Sequence, residues 1–144
     1  MNFLNEAEQL FVALADRFND PELTLTQGTC RAEFDGYSLT FNYDDVLKAM
    51  FIKASLCPLS ALPDQDQALI TILEATYEWA SLLGGSFGLD DDEEFIFYRA
   101  RLDLWRSEAP LDKNLLVNLV HTIIGALDWA VGALGLANGE NSAQ

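Results

Sequence analysis

"GGSFGLDDDEEFIFYRARLDL", residues 84–104, is the stretch on which the fold of this chain turns. Phe87 and Leu89 alternate with Ser86, Gly88 and Asp90. Beyond the acids, Ile96, Tyr98, Ala100 and Leu102 alternate with Phe95, Phe97, Arg99 and Arg101. A period of two is that of a strand with one face buried, so two strands flank Asp90–Glu94. A helix–loop–helix calcium site needs acids at alternate positions, a central Gly and a Glu at the twelfth place. The five consecutive acids have none of that spacing. They read as the solvated turn of a hairpin, with an acidic docking patch as the alternative. Gly84-Gly85 lead into a strand rather than a helix and so cradle no phosphate.

Upstream, the same period begins at residue 30. Cys30, Ala32 and Phe34 alternate with Arg31, Glu33 and Asp35, and Asp35-Gly36 is a two-residue hairpin signal. Tyr37, Leu39, Phe41 and Tyr43 form the second strand. After an Asp44-Asp45 turn, Met50, Ile52, Ala54 and Leu56 form the third, which Pro58 closes. Three strands on short turns make an antiparallel meander.

Helical spacing surrounds these strands. Phe3, Leu4, Ala7, Leu10, Phe11, Leu14 and Phe18 share one face, and Asn19-Asp20-Pro21 ends that helix. Residues 64–83 carry Leu69, Ile72, Leu73, Thr76, Tyr77, Ala80 and Leu83 on one side, with Ile70, Trp79 and Leu82 opposite. Pro63 stands where a first-turn proline belongs. A helix apolar nearly all round must be covered on more than one side, and in a chain this short the second cover is a subunit interface. The last helix opens at Asp112 as N-cap, runs through Leu115 to Leu134, and stops at Gly135. The expected class is α+β: α-β-β-β-α-β-β-α, a twisted five-stranded antiparallel sheet with three helices. Residues 1–135 read as one domain and 136–144 as a flexible polar tail.

Composition narrows the function. The chain has 144 residues, half of them hydrophobic, with 23 Asp and Glu against eight Lys and Arg, a formal charge of −15. Such a surface repels phosphate backbones and anionic lipid, which excludes nucleic acid and membrane surfaces as expected partners. The first ten residues lack the basic and apolar regions of a signal peptide, and no run of about 18 uninterrupted apolar residues occurs. Cys30 and Cys57 are the only cysteines, without metal-ligand spacing, as in a cytosolic chain with reduced thiols.

Catalytic machinery is not legible. His121 lies mid-helix beside Val120, with no carboxylate or Cys at ligand spacing, and neither cysteine has a charge pattern that would lower its pKa. The expectation is a binding protein: not an enzyme, with no catalytic residue, no metal and no cofactor. Apolar surface is the unexplained remainder. Phe51, Phe95 and Phe97 point away from the face of Ile52, Ile96 and Tyr98. A second helix layer or a dimer seam accounts for Phe95 and Phe97, and a docking groove is the sharper alternative. The first strand, Cys30 to Asp35, offers an edge to which a partner strand can add.

Element order and several motifs resemble the class I type III secretion chaperones, the Tir-chaperone or CesT-like family, over roughly residues 3–134. The motifs are "FDGYSLTF" (34–41), "ASLCPLSALP" (54–63) and "LLGGSFGLDDDEEFIFYRARLDL" (82–104), followed by Leu111-Asp112 at the final helix and Trp129 near its end. Ser60 stands where a Gly is common, and Trp105 to Glu108 make a bulkier loop than usual. The resemblance implies a bacterial cytoplasmic homodimer with a role in virulence. It binds an N-terminal segment of a secreted effector and keeps it soluble and export-competent without ATP hydrolysis. An alternative on the same fold is a regulator that sequesters an anti-activator or transcription factor. Carried over, Leu69, Ile72, Leu73, Thr76, Tyr77, Ala80 and Phe87 would form the dimer interface. Phe3, Phe11, Phe34, Phe41 and Phe51 would meet the effector.

Overall fold

The segments of alternating hydrophobicity fold as strands, and those with three-to-four spacing fold as helices. The computed structural model describes residues 3–83, 85–90, 95–104 and 112–136, without the side chains of 78–83. In chain order these form α1 (Leu4–Arg17), β1 (Thr29–Phe34), β2 (Tyr37–Asp44), β3 (Ala49–Pro58), a 3-10 turn at Leu59–Ala61, α2 (Gln65–Leu83), β4 (Gly85–Leu89), β5 (Phe95–Asp103) and α3 (Leu115–Ala133). The expected element order is the observed one.

All five strands join one antiparallel sheet in the order β1-β2-β3-β5-β4. Asp35 and Gly36 take positive φ, 52° and 87°, as the tight turn between β1 and β2 demands. Leu89 pairs with Ile96, and the Asp90 amide donates to the Phe95 carbonyl at 2.9 Å, so β4 and β5 are the two arms of a hairpin. Of the acid run that joins them, residues 91–94 lie outside the described residues, as do Trp105 to Glu108.

One register detail departs from simple alternation. Between Ser55 and Cys57 the β3–β5 pairing slips: Ser55 faces Phe97, and Cys57 faces Ile96. The extra residue is Leu56, expected to point inward with Ala54. The bulge leaves it half-buried and turns Cys57 into the core instead.

Helix ends are set by local hydrogen bonding. Asn19, at φ 53°, closes α1 with Asp20 N–H to Ala15 C=O (2.9 Å), so the stop precedes the proline invoked from sequence. Asp64 accepts from the Gln67 amide at 3.0 Å and caps α2, which places Pro63 just before the helix rather than in its first turn. The last helix begins at Leu115 with Asn114 as its N-cap, not at Asp112. The Asp112 carboxylate instead accepts from the Asn114 amide at 2.9 Å and shapes the preceding turn. Gly135, at φ 68°, ends α3, with Leu136 N–H reaching the Val131 carbonyl. Leu136 then packs on the core.

The three helices bury one face of the sheet. Leu39 and Phe41 of β2, Met50, Ile52 and Ala54 of β3, Ile96, Tyr98 and Ala100 of β5, and Phe87 of β4 are buried in one cluster. It includes Leu10 and Leu14 of α1, Ile72 and Ala75 of α2, and Leu116, Val120, Ile123 and Leu127 of α3. Among the described residues α3 is the one helix long and apolar enough to cross a bilayer, and half of it is buried as the core helix. Among the described residues no helix covers the opposite sheet face: Arg31, Glu33, Ser38, Asn42, Ser55, Arg99 and Arg101 are exposed there, and Phe51, Phe95 and Phe97 are half-buried. The second helix layer considered for those phenylalanines does not occur among the described residues.

Two contacts have measurable consequences. A Cβ on Gly85 would overlap the Tyr98 hydroxyl and press on the Arg99 carbonyl. Gly85→Ala is expected to cost about 1–3 kcal/mol in urea unfolding. The Tyr98 hydroxyl is buried with no hydrogen-bond partner among the described residues, so Tyr98→Phe should be neutral or stabilising. The Tyr37 hydroxyl donates to Asp128 at 2.6 Å and ties β2 to α3. Burial, then this bond and the Asp128 charge, raise its pKa well above that of a free phenol. A raised folded-state pKa gives stability that is complete below about pH 10 and lost as pH rises further. Tyr37→Phe should cost about 1 kcal/mol at neutral pH, and its stability should fall less steeply than the parent's above about pH 10.

Candidate functional site

With the core assigned, the candidate binding surface is what apolar side chains remain outside it. On α2, Ala68, Ile72 and Ala75 face the sheet. Ile70, Leu73 and Tyr77 are spaced three and four apart, so they share one outward stripe, with relative exposures of 49%, 67% and 88%. The helix is held by β4: the Phe87 amide donates to the Thr76 hydroxyl at 3.2 Å. Phe87 itself is buried edge-on against Tyr98, ring centres 5.0 Å apart.

Of the residues expected at a subunit seam, Leu73 and Tyr77 are exposed, Leu69 and Thr76 half-buried, and Ile72 and Phe87 buried beneath. The Ala80 side chain lies outside the described residues. The stripe also contains Ile70, which sequence reading had set on the opposite side. Its place three residues before Leu73 was the available signal.

The second surface lies along α1. Phe11, Phe34 and Phe41, expected to meet a partner, are interior. Phe11 and Phe41 stack edge-to-face at 5.1 Å, Phe34 and Phe41 at 6.1 Å, and Phe18 covers Phe34 at 4.9 Å. Alternation showed that they lie on the buried face but not that their own helices already fill it. Phe3 is half-buried, its amide donating to the Tyr43 hydroxyl at 2.9 Å, and Phe51 is half-buried on the open sheet face. The accessible apolar groups near them are different residues. Val12 is 70% exposed. It borders a groove of about 360 Å³ with Glu8, Phe11, Ala15, Pro21, Leu23, Thr24 and Leu25. Val46 and Leu47 protrude from the β2–β3 turn.

Thr24 of the groove wall makes a backbone hydrogen bond with Cys30 of β1, so the groove lies beside that strand. Past the isolated Thr26–Thr29 bridge, no described strand pairs with the outer side of β1. An extended segment could bond to this edge while its side chains enter the neighbouring groove.

The chemistry-bearing residues are dispersed. Cys30 and Cys57 are buried free thiols whose pKa values burial pushes up, the opposite of an activated nucleophile. His121 is exposed on α3, its ring 5.5 Å from that of Phe18. Among the described residues no group of three His, Cys, Asp or Glu is placed to hold a metal ion. The arrangement can bind a chain, through a sheet edge, an apolar groove and a helix stripe.

No family model and no curated protein matches the sequence. Solved structures do. A chain of the ExsC–ExsE complex superposes with a TM-score of 0.75 at 15% identity, covering 93% of this chain and 97% of that one. A chain of the HopA1–SchA chaperone–effector complex gives 0.66 at 15% identity, covering 89% and 93%. A chain of the heterodimeric ExoU–SpcU complex, from the type III secretion system of Pseudomonas aeruginosa, gives 0.61 at 18%, covering 86% and 96%. The chain has the fold of class I type III secretion chaperones.

The interior and surface assignments predict opposite outcomes. Phe41→Ala should destabilise by about 3–5 kcal/mol. Val12→Asp, on the groove rim, should change stability by less than about 0.5 kcal/mol. Urea unfolding of the two variants checks both.

Proposed function

We propose that this protein is a homodimeric, cytosolic chaperone of a type III secretion system, which holds an N-terminal segment of a secreted effector in an export-competent state. The observation that carries the reading is the shared fold over about nine-tenths of the chain with chains solved in complexes of this kind. The surface supports it. A dimer needs a self-complementary patch, and Ile70, Leu73 and Tyr77 supply an apolar one on a single helix. A client that stays unfolded needs main-chain pairing with apolar pockets beside it, and the β1 edge with the Val12 groove supplies both. The work is binding without catalysis. A charge of −15 keeps the holder soluble while its client is not. Phe3 and Phe51 remain contact residues in this reading, while Phe11, Phe34 and Phe41 support the surface from behind.

Light scattering on a gel-filtration column should give a dimer at micromolar concentration. Leu73→Glu should give a folded monomer, because a two-fold seam would set the new carboxylate against its own copy. A parent chain that is monomeric throughout would overturn the dimer. For the client, the tagged protein is to be captured from its own bacterium under secretion-inducing conditions, with mass spectrometry of bound proteins after limited proteolysis. One large partner protected over a segment near its N-terminus is expected. Recovery of a transcription factor or anti-activator would move the reading to regulatory sequestration.

A further inference from the structure

The open sheet face is unlike the rest of the surface. Antiparallel pairing sets Arg31, Thr40, Lys53, Arg99 and Ser86 in one row across the five strands, with Arg101 and Phe51 in the next. Arg31, Lys53, Arg99 and Arg101 are four of the eight basic residues in the chain. Lys53 and Arg99 are direct cross-strand partners. Like charges so placed are destabilising, and a chain with 23 acids has ample means to avoid the pairing.

Aromatic rings underlie the cations. The Lys53 ammonium sits 4.4 Å from the centre of the Phe97 ring, and the Arg101 guanidinium 5.4 Å from that of Phe51. Acids meet this face at its margins. Asp90 approaches Lys53 at 3.5 Å, Asp103 holds Arg101 at 2.6 Å, and Glu33 lies at the β1 corner. Both ion pairs are substantially solvent-exposed and so weak. Among the described residues Arg31 and Arg99 have no ion-pair partner. A groove of about 480 Å³ runs past Leu47, Phe51, Ser86, Arg99 and Arg101.

We infer that this face docks an acidic segment of the partner protein, its carboxylates on the Arg31–Lys53–Arg99 row and its apolar side chains on Phe51 and Phe97. The inference rests on the client-holding reading and adds the chemistry of the segment held. Strands are about 4.8 Å apart, so the three cations are separated by roughly two intervals and one. Successive turns of a helix, about 5.4 Å apart, place carboxylates to match. Charge supplies the selectivity, because a net charge of −15 repels an acidic segment from most other approaches.

The test uses three labelled 20-residue peptides of one amphipathic pattern, with Glu, Gln or Lys on the polar face at i, i+4 and i+11. Fluorescence anisotropy with the full chain is read at low and high salt. The Glu peptide should bind at least tenfold more tightly than the Gln peptide, weaken with salt, and lose about tenfold with Lys53→Gln/Arg99→Gln. Arg99→Glu is the folding control: it replaces a like-charge pair by a Lys–Glu pair, so its Tm should match or exceed the parent's while Glu-peptide binding is lost. Equal binding of all three peptides, tighter binding of the Lys peptide, or binding unchanged in the double variant overturns the acidic preference and leaves client holding intact. Binding of none also overturns it, while client capture and the dimer measurement judge the broader reading separately.

Discussion

The pairing of β3 with β5 is the contact on which the architecture depends. It joins the β1–β2–β3 meander to the β4–β5 hairpin, elements separated in sequence by the whole of α2. Ile52 faces Ala100 and Ala54 faces Tyr98 across that seam, all of them buried. Side chains alternate along a strand, so this one register decides which face of all five strands receives the helices. The bulge at Leu56 belongs to the same seam. It keeps Cys57 and Ile96 inward where simple alternation would have put Leu56 there.

Placing three helices on one face has a cost and a consequence. Phe11, Phe34, Phe41 and Phe18 are drawn into one aromatic cluster, and the first three keep almost no exposed surface. Accessible apolar surface is left to other groups: Val12 beside its groove, the Ile70–Leu73–Tyr77 stripe, and half-buried rings on the uncovered sheet face. The uncovered face also collects half of the basic residues, so one side differs in chemistry from the acidic remainder.

Much of this was legible beforehand for a definite reason. Strand faces follow from a two-residue period, which is why Tyr98, Ile96 and Ile52 were placed inward and Phe97 and Phe51 outward correctly. Helix faces were less secure. Residues 69–77 are apolar on both sides, so periodicity could not say that Ile72 faces the sheet and Ile70 the solvent. The cap of α3 was misassigned for a related reason: Asp112 and Asn114 both suit the position, and the turn between them chose. The resemblance implies partner contacts at Phe3, Phe11, Phe34, Phe41 and Phe51, and a position carried over in this way does not show how exposed its side chain is. Burial depends on what already covers them, which no local pattern records.

Local chemistry in the sequence determined the five strands, the three helices, their order and the tight turn at Asp35-Gly36, since each follows from the period of side chains or the φ a residue tolerates. Which of the exposed-looking groups are free, and which stand beside one another, only the tertiary structure decided. Arg31, Lys53 and Arg99 lie far apart in the chain, and strand pairing alone brings them into one row. The physical reason is that proximity across a sheet is set by register between distant segments, and register is chosen by the burial of the opposite face.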